Sequence, residues 1–397
     1  MRKLRTQVGI VGAGPAGLML AHLLHLAGIE SVISKHCTRE YVGARIRAGV
    51  LEQGTVDLLN FAGLGERMQR EGLVHNGIEI RFNGEGHRID FPSLTGGKRI
   101  TVYGQHEVVK DLIKARLEYD GEILFEVSGA TLYDLESQHP SVRFVHADES
   151  CELTCDFIAG CDGFHGITRP SIPSAALTVY ERTYPFAWLG ILAATPPSSD
   201  ELVYAYHERG FALLSMRSPQ VSRLYLQCDP NENLWEWPDD RIWQELHLRL
   251  RDNHGWELNE GPVLQKSVTG MRSVVMEPMQ FGRLFLAGDS AHIVPPTGAK
   301  GMNLAISDVH ILSRAITKFY REGVHDLLNA YSSTCLSRVW KAQRFSAWMT
   351  LLLHRIPGQC PFDARRQLAE LEYTTSSVAA KTTLAENYVG LPDWPFA

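Results

Sequence analysis

Arginine and hydroxyl side chains alternate along two neighbouring segments in the middle of the chain and could bind a small anion. Ser215 and Arg217 lie two residues apart in one segment, and Arg223 and Tyr225 lie two residues apart in the next. Side chains two residues apart on a β-strand point to the same face of the sheet, so each pair would present a cation beside a hydroxyl group. A guanidinium donates two parallel hydrogen bonds to a carboxylate. These residues therefore favour a binding site for a planar carboxylate.

The strands that must position these residues are three short runs rich in Tyr, Leu and Ser. A loop over 218–222 would place Ser215 opposite Tyr225 and Arg217 opposite Arg223. Like charges that face each other are destabilising unless an anion lies near them. The alternation alone is equally compatible with an exposed sheet edge whose arginines are solvated. The predicted strands cover residues 202–207, 211–218 and 222–228.

A glycine-rich turn near the start of the chain predicts a nucleotide-binding βαβ unit. An apolar run precedes Gly12, Gly14 and Gly17, and an apolar helix and a second apolar run, 31–34, follow them. Glycines in this arrangement let the backbone approach a pyrophosphate, which the free N–H groups at the helix N-terminus then stabilise.

The end of the second predicted strand departs from the usual dinucleotide pattern. An Asp or Glu normally holds the ribose hydroxyls there, but this chain has Ser34 followed by Lys35. Either a backbone carbonyl replaces the carboxylate or the cofactor binds less tightly.

Two later segments, DFIAGCDGFHGITR at 156–169 and GRLFLAGDSAH at 282–292, place a buried strand before paired Gly and Asp residues. Together with GAGPAG, in this order, they resemble the FAD-dependent aromatic hydroxylases, which are single-component flavoprotein monooxygenases. Five further stretches, spread over nearly the whole chain, carry the same resemblance: 44–54, 72–77, 102–105, 294–305 and 386–392.

The resemblance implies a bound FAD that is reduced by NADPH or NADH and reacts with O2 to form a flavin hydroperoxide. The expected reaction is hydroxylation of 4-hydroxybenzoate at its 3-position to give 3,4-dihydroxybenzoate. Asp289 would hold the ribityl chain of FAD. The full set of expected FAD contacts is Gly12, Gly14, Gly17, Lys35, Arg45, Arg47, Gln105, Asp289, Thr297 and Gly298.

The same resemblance assigns roles around the substrate. A phenol has a pKa near ~10, so the site must stabilise its anion and provide a route for its proton. Tyr204 and Tyr388 match the relay tyrosines of the family, with His75 as the outlet to solvent. The carbonyl of Pro296 would contact the phenol oxygen, and Asn303 would bind near the flavin. The expected carboxylate contacts are Ser215, Arg217 and Tyr225.

No second glycine motif is present for the nicotinamide donor, so the resemblance implies transient docking in a surface cleft. Lys35, His36 and Arg39 make one segment basic, which would favour the 2′-phosphate of NADPH over NADH. The expected donor contacts are Tyr41, His165, Arg169 and Arg272.

Composition excludes several other classes of protein. The net charge of −6, without a run of Lys or Arg longer than two residues, argues against a nucleic-acid partner. Seven cysteines without paired metal-ligand spacing predict free thiols, no metal site and a cytoplasmic location. Glycines interrupt the apolar N-terminal run, and no segment is long enough to span a membrane.

The expected fold is α/β with α+β elements. We predict a discontinuous Rossmann-like FAD-binding domain with an inserted mixed or antiparallel substrate-binding sheet and C-terminal helices. An amphipathic helix over 336–356, ended by Pro357, could lie on a membrane but fits a homodimer interface better. The predicted segments are 1–180 and 270–350 for the FAD-binding domain, 181–269 for the substrate sheet and 351–397 for the C-terminal segment.

Three other functions stay open on the sequence alone. A sister hydroxylase could act on 3-hydroxybenzoate or an aminobenzoate, because the predicted clamp selects only the carboxylate. A redox-silent flavoprotein could bind an aromatic acid if Lys35 has weakened the FAD site. An NAD-linked dehydrogenase without oxygen chemistry is the third.

Overall fold

A computed structural model describes residues 1–44 and 49–392, and it has the expected α/β architecture with several sheets. Pro15 begins the first helix, as suits a residue with a fixed φ and no N–H to satisfy. The helices of the described residues are α1 (Pro15–Leu26), α2 (Arg39–Ala44), α3 (Gln53–Phe61), α4 (Gly65–Glu71), α5 (Phe91–Thr95), α6 (Gln105–Glu118), α7 (Asp239–Leu250), α8 (Gly301–Glu322), α9 (Asp326–Asn329), α10 (Tyr331–Leu353), α11 (Pro361–Ser376) and α12 (Val378–Val389).

Within residues 1–44 and 49–392, the strands form four sheets of four, six, eight and three strands. Their bounds are β1 (Arg2–Arg5), β2 (Val8–Val11), β3 (Ser31–Ser34), β4 (Val50–Leu51), β5 (Leu73–His75), β6 (Gly77–Phe82), β7 (Glu85–Asp90), β8 (Ile100–Val102), β9 (Ile123–Leu124), β10 (Ser128–Tyr133), β11 (Ser141–His146), β12 (Glu149–Thr154), β13 (Phe157–Gly160), β14 (Thr178–Ala193), β15 (Leu202–Ala205), β16 (Ala212–Ser218), β17 (Val221–Cys228), β18 (Val263–Glu277), β19 (Gln280–Phe281), β20 (Leu284–Leu286) and β21 (His292–Ile293).

The six-stranded sheet carries the glycine-rich turn. Its strand order is β19-β20-β13-β2-β3-β9, and every neighbouring pair except β19–β20 is parallel. Every residue of β2, β3 and β13 is buried, as expected of parallel strands covered on both faces. The predicted order of strand, glycine turn, helix and strand is therefore confirmed.

The eight-stranded sheet carries the predicted anion site. Its order is β21-β18-β14-β17-β16-β15-β6-β7, and the pairs are antiparallel except β15–β6. The three predicted strands correspond to β15, β16 and β17. The sheet also includes strands from 77–90 and 263–293, so it draws on chain outside the predicted 181–269 segment, whose boundaries stay a prediction.

The predicted register of β16 against β17 is wrong by two residues. Ser215 lies opposite Arg223 and Leu213 opposite Tyr225, because the strands extend to Ser218 and Val221 and a two-residue turn joins them. The pairing is irregular at Arg217. An even shift keeps every side chain on its predicted face, so the cations and hydroxyls still share one face.

One face of this sheet packs against the C-terminal helices, and the other face covers α7. The predicted 336–356 helix begins earlier, at Tyr331, and ends at Leu353, because His354 adopts an extended conformation. Trp340 of this helix is 41% exposed. The residues of the helix that lie in the core include Cys335, Val339, Ala342, Phe345, Met349 and Leu352. Within the described ranges, no helix is long and apolar enough to cross a membrane.

Candidate active site

The three glycines of the turn have different local reasons to be glycine. Gly12 has a φ of +114°, and an added Cβ would lie 2.2 Å from the carbonyl oxygen of Cys161. A Cβ at Gly17 would lie 2.0 Å from the Gly12 carbonyl oxygen. Gly14 is the N-cap of α1, and nothing lies within 4 Å of a Cβ there. The N-terminus of α1 thus faces open space without a side-chain cap, which fits the pyrophosphate of a dinucleotide.

The Gly288-Asp289 turn lies at the same edge of the parallel sheet as the glycine turn before α1. Gly288, Asp289 and Ser290 form a single 3-10 turn after β20. Ser290 Oγ donates to the carbonyl of Gly160, at the end of β13, over 2.6 Å. Asp289 is half-buried at this edge, as a contact to an FAD ribityl chain requires.

A buried His–Asp pair that the sequence analysis missed fixes this turn. Asp308 of α8 accepts hydrogen bonds from the Gly288 N–H, 2.9 Å away, and from His292 Nε2, 2.7 Å away. Burial alone would lower the pKa of His292, but the carboxylate of Asp308 outweighs it and raises that pKa. The available signal was an acidic residue inside an apolar helix pattern.

The predicted ribose end shows no carboxylate at the close of β3. Lys35 uses its backbone N–H for Leu124 and its carbonyl for Val127, and its side chain is half-buried. Gln105 begins α6 and is half-buried. The predicted FAD contacts Arg45 and Arg47 lie outside the described residues. Contacts of Lys35 and Gln105 with FAD stay predictions.

The two predicted relay tyrosines are in direct contact and are hereafter called the tyrosine pair. The hydroxyl oxygens of Tyr204 and Tyr388 lie 2.5 Å apart, and the Tyr204 hydroxyl also donates to the carbonyl of Thr297 over 3.2 Å. Both side chains are fully buried, which raises both pKa values. Both groups are therefore neutral hydroxyls at neutral pH that can donate as well as accept a hydrogen bond.

His75 is buried and is linked to Tyr388 only indirectly, through its neighbour Asn76 and through Phe91. Its neighbour Asn76 accepts the N–H of Phe91, and the Phe91 ring stacks on Tyr388 with centroids 5.2 Å apart. Neither ring nitrogen of His75 has a hydrogen-bond partner among the described residues. Burial lowers its pKa to about 4, although Glu201 partly offsets the effect. The imidazole is therefore neutral at neutral pH.

The predicted carboxylate clamp, made of Ser215, Arg217 and Tyr225, is assembled by β16 and β17. Arg217 Nη2 donates to the Tyr225 hydroxyl over 3.3 Å, and Nη1 lies 3.5 Å from Ser215 Oγ. Ser215 Oγ donates to the carbonyl of Arg223 over 2.9 Å. Arg217 Nε is buried and lacks a partner in the part of the chain that the structure describes.

Two cations act on the phenol of the clamp. Burial alone would raise the pKa of Tyr225, but Arg217 and Arg223 outweigh burial and lower it. The charged and titratable groups that influence Arg217 are Tyr225 and Arg223, with no carboxylate among the described residues. The site therefore has positive charge and hydrogen-bond donors to spare, as a bound carboxylate needs.

The loop before α8 supplies the remaining predicted contacts. The Pro296 carbonyl accepts the N–H of Ala299, and a Cβ at Gly298 would lie 2.8 Å from Ser346 Oγ. Asn303 is buried and uses its amide internally: Oδ1 accepts from the Glu52 N–H and from Thr55, and Nδ2 donates to the carbonyls of Val50 and Ala299. The direct ligand contacts predicted for Pro296, Thr297, Gly298 and Asn303 stay predictions.

A buried ion network that the sequence analysis missed holds the relay in place. Glu52 lies 2.6 Å from Lys300 Nζ and 2.9 Å from Arg338 Nη2. Lys300 also donates to the backbone carbonyls of Asn387 and Tyr388. Burial lowers the pKa of Lys300, although Glu52 opposes this. The network fastens the end of α12, and hence Tyr388, to the start of α8.

Three of the four predicted donor contacts surround one aromatic ring. The guanidinium carbons of Arg169 and Arg272 lie 4.2 and 3.8 Å from the centre of the Phe164 ring, and His165 meets it edge-on at 5.1 Å. The fourth, Tyr41, lies on α2 and is 52% exposed. Phe164 was not among the predicted contacts.

The chain is similar to known proteins in sequence and in fold. The FAD binding domain family matches residues 5–346. A p-hydroxybenzoate hydroxylase of Acinetobacter baylyi is 50% identical over 392 residues, which cover 99% of this chain and 97% of that protein. A rifampicin monooxygenase of Streptomyces venezuelae is 26% identical, covering 91% of this chain and 74% of its own. The crystal structure of p-nitrophenol 4-monooxygenase from Pseudomonas putida superimposes with a TM-score of 0.83 at 18% identity, covering 99% and 100% of the two chains.

Proposed function

This chain belongs to the FAD binding domain family and, within it, to the FAD-dependent aromatic hydroxylases, and we propose that it converts 4-hydroxybenzoate to 3,4-dihydroxybenzoate. The observation that supports this substrate is that the tyrosine pair and the carboxylate clamp lie on one face of the eight-stranded sheet. Tyr204 pairs with Leu213, and Leu213 pairs with Tyr225, so the relay and the clamp lie two strands apart. Two strand spacings are about 10 Å. A single ring with polar groups at opposite ends matches this separation.

The clamp orients the substrate by its carboxylate. Arg217 offers its unpaired Nε and its Nη atoms, and the hydroxyls of Ser215 and Tyr225 lie beside them. Arg223 adds a second positive charge. Fixing the carboxylate in this way directs the phenol oxygen towards the tyrosine pair, which converts a bimolecular encounter into an oriented one.

The tyrosine pair moves the phenol proton. The oxygen of Tyr204 accepts that proton while its own hydroxyl proton passes to Tyr388, over the 2.5 Å that separate the two oxygens. Tyr388 in turn releases its own hydroxyl proton, and the imidazole of His75 passes that proton on to solvent. The phenolate left behind is more electron-rich than the phenol, and the ring carbon beside its oxygen becomes more nucleophilic.

FAD, which the glycine turn and the Gly288–Ser290 turn would hold, supplies the electron transfer from NAD(P)H and the activation of O2. The residues of the chain bind, orient and exclude water around it.

In this proposal the nicotinamide donor docks beside the Phe164 ring, which Arg169, Arg272 and His165 surround. Arg169 and Arg272 provide two cations for its phosphates, and His165 provides a third group that can donate a hydrogen bond. Tyr41 and the basic segment that contains Lys35 would contact the adenosine end, where a 2′-phosphate distinguishes NADPH from NADH. The chain would act in the cytoplasm as a homodimer, a location supported by seven cysteines that are all free thiols.

Product analysis tests the proposal. Purified FAD-containing protein is supplied with 4-hydroxybenzoate, O2 and either NADPH or NADH, and the expected results are donor oxidation accelerated by the substrate, O2 uptake and 3,4-dihydroxybenzoate. Faster turnover of 3-hydroxybenzoate or an aminobenzoate would assign a sister hydroxylase. A spectral change without donor oxidation would indicate a redox-silent binder, and anaerobic turnover a dehydrogenase.

A further inference from the structure

The last turn of α10 contacts both ends of the proposed substrate pocket. Thr350 Oγ1 lies 2.9 Å from Thr297 Oγ1, and the carbonyl of Thr297 accepts the Tyr204 hydroxyl. Four residues later, His354 Nε2 lies 2.6 Å from the indole nitrogen of Trp188. Thr350 and His354 therefore connect the strand of the relay tyrosine with the strand beside the clamp.

The hydrogen bonds of His354 define its tautomer. Nδ1 lies 2.8 Å from the carbonyl oxygen of Thr350, which can only accept, so Nδ1 carries the proton. Nε2 then accepts the indole N–H of Trp188. The ring is fully buried and stacks on Phe186 and Phe211, with centroids 4.6 and 4.3 Å apart. Because burial lowers its pKa to about 3, the imidazole stays neutral, so its role is to position other groups.

Trp188 carries the effect of His354 to the clamp. Its indole packs on the Tyr225 ring with centroids 4.7 Å apart, and the Tyr225 hydroxyl accepts from Arg217. We propose that His354 is a positioning residue that sets the separation between the clamp and the tyrosine pair, and so selects benzoates hydroxylated at the para position over the meta position. The proposal rests on the proposed function.

A comparison of ligands that contact one end of the pocket with a ligand that contacts both ends distinguishes this role from general support of the fold. A 4-hydroxybenzoate molecule must meet the clamp and Tyr204 at once, so its affinity depends on their separation. Benzoate meets only the clamp, and 3-hydroxybenzoate presents its hydroxyl at a different angle. A change in the separation should therefore weaken the para ligand most.

Two substitutions remove the same hydrogen bond from opposite sides. His354→Phe keeps a ring between Phe186 and Phe211 but leaves the indole N–H unpaired, and Trp188→Phe removes that N–H. The FAD-containing proteins are titrated with 4-hydroxybenzoate, 3-hydroxybenzoate and benzoate, with flavin absorbance as the signal. Because both variants lose the hydrogen bond that holds the ring at position 188 against Tyr225, we expect about tenfold weaker binding of 4-hydroxybenzoate in each variant, with a much smaller loss for benzoate. The preference for para over meta should fall accordingly.

A control variant, a double variant and the contrary outcomes complete the test of His354. His22→Phe removes another buried imidazole, which lies on α1 and bonds the Ala62 carbonyl, and should leave the ratio of the three affinities unchanged. The double variant His354→Phe/Trp188→Phe should bind no more weakly than the weaker single variant. The proposal would be overturned if affinity fell equally for all three ligands, if it did not change, or if the losses of affinity were additive in the double variant. If His354→Phe does not fold, Trp188→Phe decides alone. If the unsubstituted protein does not bind 4-hydroxybenzoate, the proposed function is overturned as well. If the variants hydroxylate normally with unaltered para-over-meta selectivity, only the role of His354 is overturned.

Discussion

Arg217→Ala tests the clamp most directly, because it removes one cation from a site that holds two. Hydrogen bonds to a charged group contribute about 1.5–3 kcal/mol each. Arg223 and the Ser215 and Tyr225 hydroxyls remain in the variant, so we expect a loss of about 2–3 kcal/mol of binding free energy for 4-hydroxybenzoate. This loss corresponds to a roughly 30- to 150-fold higher Kd.

The same substitution should leave the stability of the ligand-free protein nearly unchanged. Without substrate, Arg217 lowers the pKa of Tyr225 together with Arg223, and the two guanidiniums repel each other. Removing Arg217 relieves that repulsion, so the Tm of the ligand-free protein should not fall appreciably. Loss of affinity without loss of stability distinguishes a binding role from a structural one.

Titration of the FAD-containing protein with 4-hydroxybenzoate and a thermal melt measure the two quantities. Arg217→Lys keeps the charge but loses the two-pronged donor geometry, so its Kd should lie between those of the other two proteins. Arg321→Ala, at an exposed arginine near the end of α8, is the matched control and should change neither quantity. A Kd for Arg217→Ala within threefold of the unsubstituted value, or a collapse of its Tm, would refute the clamp.

Three further perturbations address the relay, the FAD turn and the pH response. Tyr204→Phe removes the hydroxyl that receives the phenol proton, so donor oxidation should continue while the yield of 3,4-dihydroxybenzoate falls; an undiminished yield counts against the relay. Gly12→Ala places a Cβ against the Cys161 carbonyl at a positive φ, so the purified protein should lose FAD or fail to fold, and a yellow, stable variant contradicts the turn geometry. The folded pKa of His75, about 4, lies below its ordinary value of 6.5, so its contribution to stability is present above pH 6.5 and is lost as the pH falls from 6.5 to 4. The contribution is at most about 3 kcal/mol; the Tm of His75→Gln should therefore fall less between these pH values, and parallel curves for the two proteins would exclude the effect.

The sequence by itself determined the local features of the molecule. The glycine turn between β2 and α1 follows from short-range sterics, since a side chain at Gly17 would collide with the Gly12 carbonyl and Gly12 adopts a positive φ. The shared face of Ser215, Arg217, Arg223 and Tyr225 follows from the two-residue period of a strand, which survives even an error of two residues in register.

Only the tertiary structure decided which distant residues complete the site. Glu52 with Lys300, His292 with Asp308 and Trp188 with His354 pair across different elements, and neither spacing nor composition specifies such pairs. The end of α10 at Leu353 and the two-residue turn between β16 and β17 also became clear only in the structure. Propensity and alternation act over a few residues, whereas burial, charge pairing and register depend on what the folded chain brings alongside.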